Sequence, residues 1–548
     1  MMQIDYARPV FLSALEIIGI SDPDILEFEI PNNPEHGDIS TNIAMKLARE
    51  LKKAPRKIAE DIIELLNYDK DLIENLSIAG AGFINLKYSK LFYANSLKII
   101  DNKKDYIGKN NSGEGKKVNV EYVSVNPTGL LHLGHGRNAC CGDTVANLYE
   151  WNGWNVTREY YFNNAGNQMN NLAKSIYARY MQILEDPGFS FPENGYHGEY
   201  VKEIAVDLIE KSADAYKSGS DEDMKQIRKF GEEWCFEKIK ATLVRLNINQ
   251  DIFYNEDSLY ETGKIRALLE EFKENNLTYE KDGAIWLALS KLGLEQDRVV
   301  VKSTGEPTYR LPDIAYHREK LRRGYDLIVD IFGSDHIATI PDVLAGIKSL
   351  GYDPDKIKVL IHQFVTLTEN GKQVKMSKRT GKSYTLDDLL DEVGADVVRF
   401  FLIMRGMSTH LEFDLGLARE QSEKNPVFYL QYAHARICSI FEKIKEAGQE
   451  ADEETDFSLL KQDQEINLIK ELLRFEDMIR AACDKSEPHI LADYLKGLAQ
   501  AFHIFYHNCR IMGESSELLT ARLALAGVTR RVINNGLKIL GVSAPEKM

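Results

Sequence analysis

Glu121-Tyr-Val-Ser-Val-Asn-Pro-Thr-Gly-Leu-Leu-His-Leu-Gly-His-Gly136 is the stretch on which the reading of this chain turns. Val118 to Val125 is β-rich and follows the polar, glycine-containing Asn110 to Lys117, so it reads as a strand. Pro127, Thr128 and Gly129 punctuate it. From Gly134 the pattern becomes helical, through Ala139, Val145, Ala146 and Leu148. A strand therefore turns into a helix, with His132 and His135 set around Gly134 at the turn. Gly134 has no Cβ, so a flat base or a ribose fits close to the backbone. A helix start offers N–H groups and a positive dipole end to phosphate. Histidines beside it donate hydrogen bonds to a triphosphate as charge develops. A bare His-x-Gly-His is as readily an ordinary turn with two satisfied histidines. The flanking Asn126-Pro-Thr-Gly129 favours the phosphate reading.

Working outward, Val374-Lys-Met-Ser-Lys-Arg379 follows an apolar run, Ile357 to Val365, that reads as one buried strand. Gly371 and Gly381 bracket a polar loop carrying Lys375 and Lys378, compact charges suited to a transferring phosphate. Alone, such a loop is equally a solvated basic turn. In this order, the two stretches supply the halves of a nucleotidyl-transfer site. Strand, helix, strand repeats at Val118–Val125, Gly134–Trp151 and Val156–Tyr161, then at Leu327–Phe332, Ile337–Leu350 and Ile357–Val365. That alternation implies a doubly wound, Rossmann-like parallel sheet. The fold expected is thus α/β and multidomain, with a catalytic domain over residues 113–405 and a mostly helical, acidic insertion at about 185–290.

Residues 1–112 read as a smaller α+β domain. Ile39 to Leu51 and Arg56 to Leu66 are helical in pattern, and Ser77 to Leu86 is a strand with bends. Asp38 or Ser40 is placed to cap the first of those helices. Residues 406–548 read as an all-α domain, with Leu430, Ala433, Ile437 and Ile440 on one helical face and an acidic loop from Glu450 to Asp456.

Bulk properties narrow the class. The 548 residues, 44% hydrophobic and 28% charged, suit a globular protein of three or four domains. No apolar run approaches the ~20 residues of a membrane span. Six cysteines show no Cys-x-x-Cys spacing, so neither a zinc site nor a disulfide framework is expected. Met-Met-Gln-Ile-Asp lacks a secretory pattern, and a cytoplasmic location is expected. The net charge of −16 does not exclude RNA, because phosphate contact needs only a local basic patch. The basic clusters at Lys52 to Lys57, Arg318 to Arg323 and Lys372 to Lys382 each read as solvated faces.

The two signature stretches resemble those of class I aminoacyl-tRNA synthetases. More narrowly, nearly the whole chain resembles the arginyl-tRNA synthetases. The residues carrying this are Pro34-Glu-His-Gly-Asp-Ile-Ser-Thr-Asn42, Arg158-Glu-Tyr-Tyr-Phe-Asn-Asn-Ala-Gly-Asn167, Tyr309-Arg-Leu-Pro-Asp-Ile-Ala-Tyr-His317, Gly333-Ser-Asp-His336 and Leu430-Gln-Tyr-Ala-His-Ala-Arg436. Asn164 and Asn138 depart from the family's usual Asp and Gly, and Arg379 from the class-wide Ser.

The resemblance implies an arginine–tRNA ligase that forms arginyl-adenylate from arginine and an ATP–Mg²⁺ substrate complex. It then acylates the terminal ribose of tRNA(Arg), and it needs that tRNA before it activates arginine. No tightly bound cofactor or structural metal is implied, and a monomer is expected. His132, His135, Lys375 and Lys378 are the implied catalytic residues, with Gly134, Met376, Ser377 and His336 on the ATP side. Glu121, Ser124, Asn126, Tyr309 and Asp313 are implied around arginine. A guanidinium with five donors wants carboxylates in a fork, although either carboxylate alone is equally a structural ion-pair partner. The N-terminal domain is implied to touch the tRNA elbow and the helical domain the anticodon. Tyr432 and Arg436 are RNA candidates there, with Tyr506, Asn508, Arg510 and Arg530 unranked behind them. Another class I synthetase, a small-molecule adenylylating ligase and an inactive tRNA-binding paralogue are the alternatives.

Overall fold

The computed structural model describes residues 2–31, 33–164, 166–185, 187–374, 384–448 and 455–548. Lys375, Met376, Ser377, Lys378, Arg379 and Gly381, and most of the acidic stretch from Glu450, lie outside the described residues.

Five parallel strands build the central sheet, in the spatial order Ile357–His362, Leu327–Gly333, Lys117–Glu121, Asn155–Phe162, Ile252–Asn255. The order reverses between Leu327–Gly333 and Lys117–Glu121. The carboxyl ends of those two strands therefore flank the crevice where doubly wound sheets bind ligands. The strand predicted to run to Val125 stops at Glu121. Val123 and Ser124 both take left-handed φ, 70° and 45°, which a β-branched residue adopts only when its surroundings force it. Asn138 supplies that force. Its Oδ1 accepts from Val123 N at 2.6 Å, and its Nδ2 donates to the Ile331 carbonyl at 2.8 Å. The family's usual glycine has no side chain to do this.

The helix Leu133–Trp151 follows and is buried nearly all round. The predicted single strand Ile357 to Val365 is broken. Its second part, Val365–Glu369, belongs to a separate three-stranded sheet with Leu411–Asp414 and Lys372–Gln373. Leu311-Pro312, a pair that by itself reads as a break in regular structure, lies inside a helix. Pro312 sits in the first turn of the helix Arg310–Arg322, where a missing N–H costs no intrahelical bond.

The insertion contains the helices Glu199–Ser212 and Asp221–Arg245, which pack with Gly166–Leu184 around their own apolar core. It also holds β-structure that the helical reading missed. Ile252–Asn255 is the edge strand of the central sheet, and Thr278–Lys281, Ala284–Leu287 and Arg298–Val301 form an antiparallel sheet.

The N-terminal region carries the helix Met2–Ile17 and an antiparallel sheet ordered Ile39–Thr41, Phe83–Tyr88, Ile73–Ala79. Ile39–Thr41 is thus a strand, and the helix begins only at Ile43. Neither Asp38 nor Ser40 caps that helix. The Asp38 carboxylate accepts from Tyr88 N at 2.7 Å and from Lys470. Gly37 beside it has φ 86°, and a Cβ there would lie 2.4 Å from the Leu86 carbonyl oxygen, so only glycine fits.

The C-terminal region is helical, through Pro426–Glu446, Asp463–Leu473, Phe475–Lys485, His489–Asn508 and Ser516–Leu540. Leu430, Ala433, Ile437 and Ile440 are all buried, as their spacing predicts. The two ends of the chain meet. Arg531 pairs with Asp101, and Asn535 Nδ2 donates to the carbonyls of Asp105 and Ile107 at 3.1 and 3.0 Å. All six cysteines are free and buried. No described helix is long and apolar enough to cross a membrane.

Candidate active site

The first signature stretch caps its own helix. His132 Nδ1 accepts from the N–H of Gly134 at 3.1 Å and of His135 at 3.3 Å. His135 Nδ1 accepts from His132 N at 3.3 Å, and the two rings stack with centroids 3.4 Å apart. These N–H groups, predicted to await a phosphate, are therefore already satisfied. The consequence is chemical. A ring nitrogen that accepts from an amide carries no proton, so each neutral ring keeps its proton on Nε2. Burial lowers the pKa of His132, and burial with the neighbouring His132 and His362 pushes His135 down to about 3. Both present neutral N–H donors rather than imidazolium charges.

Glu121 ends its strand at the switch point and is 3% exposed. Its Oε1 accepts from Ser124 Oγ at 2.9 Å, while Oε2 takes the buried ammonium of Lys320. Burial pushes the Glu121 carboxyl upward against that ammonium's pull. Arg318 to Arg323 is accordingly no solvated face: Lys320 is 0% exposed and Arg323 makes a forked pair with Glu159 at 2.7 and 2.8 Å.

Asn126 is held by both ends of its amide, accepting from Asn163 N and donating to Gln168, each at 2.9 Å. Asp313, half-buried, lies in the first turn of its helix. Among the described residues nothing bonds to its carboxylate, and burial pushes it up to about 7 against the pull of His317, with Glu256 and Glu121 adding to the push. Glu256 was not foreseen from sequence. It accepts from Tyr161 Oη at 2.5 Å and from Asn163 Nδ2 at 2.8 Å. Tyr309, at 74% exposure, stands outside this packed group.

His336 follows the Leu327–Gly333 strand in a 3₁₀ turn, and its ring stacks on Phe332 with centroids 5.3 Å apart. His362, also unforeseen, ends the next strand, and a Cβ at Gly333 would sit 3.9 Å from its Nε2. Its place at a strand's carboxyl end beside the switch point was the available signal. Arg137, one helical step past His135, donates to the carbonyls of Gln363, Gly406 and Thr409 at 2.8 to 2.9 Å. That contact lies just after the strand ends at His362 and ties the first motif to the segments around the second sheet. Far away, Tyr432 and Arg436 pair with each other, the guanidinium 4.4 Å from the ring centroid. Among the described residues no group of acidic, histidine or cysteine side chains is arranged to hold a metal.

A doubly wound sheet whose switch point carries this histidine pair and a cluster of carboxylates defines a class I aminoacyl-tRNA synthetase. Comparison with known proteins agrees. Residues 97–400 match the family described as tRNA synthetases class I (R), catalytic domain, residues 8–88 the arginyl tRNA synthetase N terminal domain, and residues 430–548 the DALR anticodon binding domain. An arginine–tRNA ligase from Salinibacter ruber is 47% identical over 99% of this chain and 100% of its own length. One from Listeria monocytogenes is 44% identical over 100% and 99%. The Thermus thermophilus arginyl-tRNA synthetase structure superposes with a TM-score of 0.77 at 21% identity, covering 99% of both chains. The chain belongs to the arginyl-tRNA synthetase family.

Proposed function

We propose that this chain is an arginine–tRNA ligase. It joins L-arginine to ATP as arginyl-adenylate, releasing pyrophosphate, and then passes the arginyl group to the 3′-terminal ribose of tRNA(Arg), releasing AMP. The observation that carries the arginine reading is the carboxylate of Asp313, which no described residue bonds, buried near the negative charges of Glu256 and Glu121. A guanidinium supplies what that carboxylate lacks. Its donors bridge two carboxylates, and its charge returns Asp313 to the ionised form. Glu121, one oxygen on Ser124 and the other on Lys320, takes the α-amino end as a further donor, and Asn126 orients the carboxylate. Tyr309 closes over the bound amino acid.

The arginine carboxylate then attacks the α-phosphorus in line with the departing pyrophosphate. His132 and His135 donate Nε2–H to phosphate oxygens as charge grows. Mg²⁺ arrives with ATP, and His336 lies on the nucleotide side. Lys375 and Lys378, flanking Met376 and Ser377, neutralise the leaving group. Residues 1–112 grip the tRNA elbow. The bundle from 406 onward takes the anticodon, with Tyr432 and Arg436 as a stacking platform. The enzyme works as a monomer in the cytoplasm.

The test is ATP–pyrophosphate exchange with each of the twenty amino acids, with and without tRNA(Arg). Exchange with arginine alone among them, dependent on tRNA, is the expected result. Exchange driven by another amino acid, or none with intact tRNA, refutes the assignment.

A further inference from the structure

Asp330 lies within the Leu327–Gly333 strand at 0% exposure, directly in register with Glu121 on the neighbouring strand. It has no access to the crevice, yet its two oxygens serve two different partners. Oδ1 accepts from Lys320 Nζ at 2.6 Å, and Lys320 also reaches Glu121. Oδ2 accepts from His317 Nε2 at 2.9 Å, while His317 Nδ1 meets the Asp313 carbonyl oxygen at 2.7 Å. A carbonyl and a carboxylate only accept, so both nitrogens of His317 carry protons and the ring is an imidazolium. Burial opposes that charge, but Asp330 outweighs it and holds His317 above its ordinary value. Burial would likewise raise Asp330, but Lys320 and His317 hold its carboxyl well below the usual carboxylate range.

The charges close on themselves. Lys320 and His317 are bonded to Asp330 and Glu121, and among the described residues no cation bonds the Asp313 carboxylate, whose burial outweighs the pull of nearby His317. Such a buried ionic group is a poor stability device, since an apolar set of similar volume folds as well or better. Its geometry fits another use. The two arms leave one buried carboxylate and end at the two acidic residues assigned to opposite ends of arginine.

We infer that Asp330 is a positioning residue for arginine: through Lys320 it holds Glu121, and through His317 it holds the helical turn that bears Asp313, so one buried group sets the spacing between the two carboxylates that measure the amino acid. This rests on the reading that Glu121 and Asp313 contact arginine.

The experiment uses the full-length enzyme with tRNA(Arg) and compares Asp330→Asn, which keeps the volume and removes the charge, with Lys320→Gln and His317→Gln. KM for arginine should rise about tenfold or more in each, with KM for ATP nearly unchanged and kcat falling less than KM rises. His317→Gln, which disturbs only the Asp313 arm, should also narrow the preference for arginine over citrulline. Because all three act through one network, Asp330→Asn combined with His317→Gln should cost less than the two separate losses together. A merely structural network would lower the melting temperature and the amount of active enzyme, leaving both KM values in the folded fraction alone, and that result overturns the inference. If Asp330→Asn does not fold, the two arm variants decide by the same criterion. Asp313→Ala and Glu121→Ala serve as the control. Unchanged arginine KM in those two refutes the contact reading itself, whereas raised KM there with normal KM in the three network variants refutes only the role of Asp330.

Discussion

His132 serves the backbone with one ring nitrogen and faces the crevice with the other. The two duties separate by substitution. His132→Ala removes both the cap and the donor, and should cost about 0.5–2 kcal/mol of stability together with ~10²–10³ in the rate of adenylate formation. Asparagine also caps well, so His132→Asn should restore the melting temperature while leaving the rate low. Thermal melts and single-turnover kinetics check this, and a normal rate in either variant removes His132 from the phosphate contacts. Asp313 gives the second prediction. Burial pushes its carboxyl up to about 7, and only the ionised form pairs with a guanidinium. Arginine affinity should therefore weaken about tenfold for each pH unit below 7 and level off above it. Asp313→Asn should bind weakly at every pH. At saturating arginine no limb should arise near 6.5 from His135, which is held near 3 and stays neutral throughout. The strand-to-helix turn carrying His132 and His135 was legible in the sequence because it is a local pattern, whereas Glu121 and Asp313 were singled out only through the family resemblance. Lys320, Glu256 and His362 were not singled out. They reach the site only because the fold brings strands and helices from distant parts of the chain together, and Lys320 in a basic run looked like surface.

The helix Leu133–Trp151 is tied through Arg137, 0% exposed, to the segments around the second sheet, where its guanidinium holds three carbonyls. Arg137→Met leaves those part-buried carbonyls without their donor, at about 1–3 kcal/mol each where water cannot replace the bond. The expected outcome is a lower melting temperature and slower adenylate formation, with arginine Kd nearly unchanged because Glu121 and Asp313 lie on other elements. Calorimetric titration beside exchange kinetics reads both. Element identity was legible where apolar runs were long, as in this helix and in the strands Lys117–Glu121, Asn155–Phe162 and Leu327–Gly333. It failed where tertiary contacts override local preference. Val123 and Ser124 look like strand but are bent by Asn138. Ile39–Thr41 looks like a helix start but pairs with Phe83–Tyr88. The four-residue strands of the insertion are too short to show alternation, and Thr278–Lys281 is polar as well.

Across the whole molecule, the N-terminal region and the C-terminal bundle are bonded to each other, which decides how a truncation behaves. Gly108 packs against Phe475 and Ile479 so closely that a Cβ would lie within 2.5 Å of the Phe475 ring. Removing residues 1–110 thus strips a face of the bundle and should lower the melting temperature. Removing only residues 1–88 keeps the helix Lys90–Asn102 and should chiefly raise the KM for tRNA. In the intact protein that KM should climb with salt as phosphate contacts release counterions. An unchanged tRNA KM in the shorter truncation takes the N-terminal domain out of the RNA interface. The interior cysteines carry one more consequence. Burial raises their thiols, Cys140, Cys235 and Cys483 to about 12 and Cys141 and Cys509 to about 11, so the reactive thiolate is scarce in the native state. Cys140, Cys141 and Cys235 lie in the catalytic half, and Cys438, Cys483 and Cys509 in the helical half. An alkylating reagent added during denaturation therefore weighs the molecule by halves: a species carrying three tags reports a chain that opens at one end first, and a jump from none to six reports a single cooperative collapse.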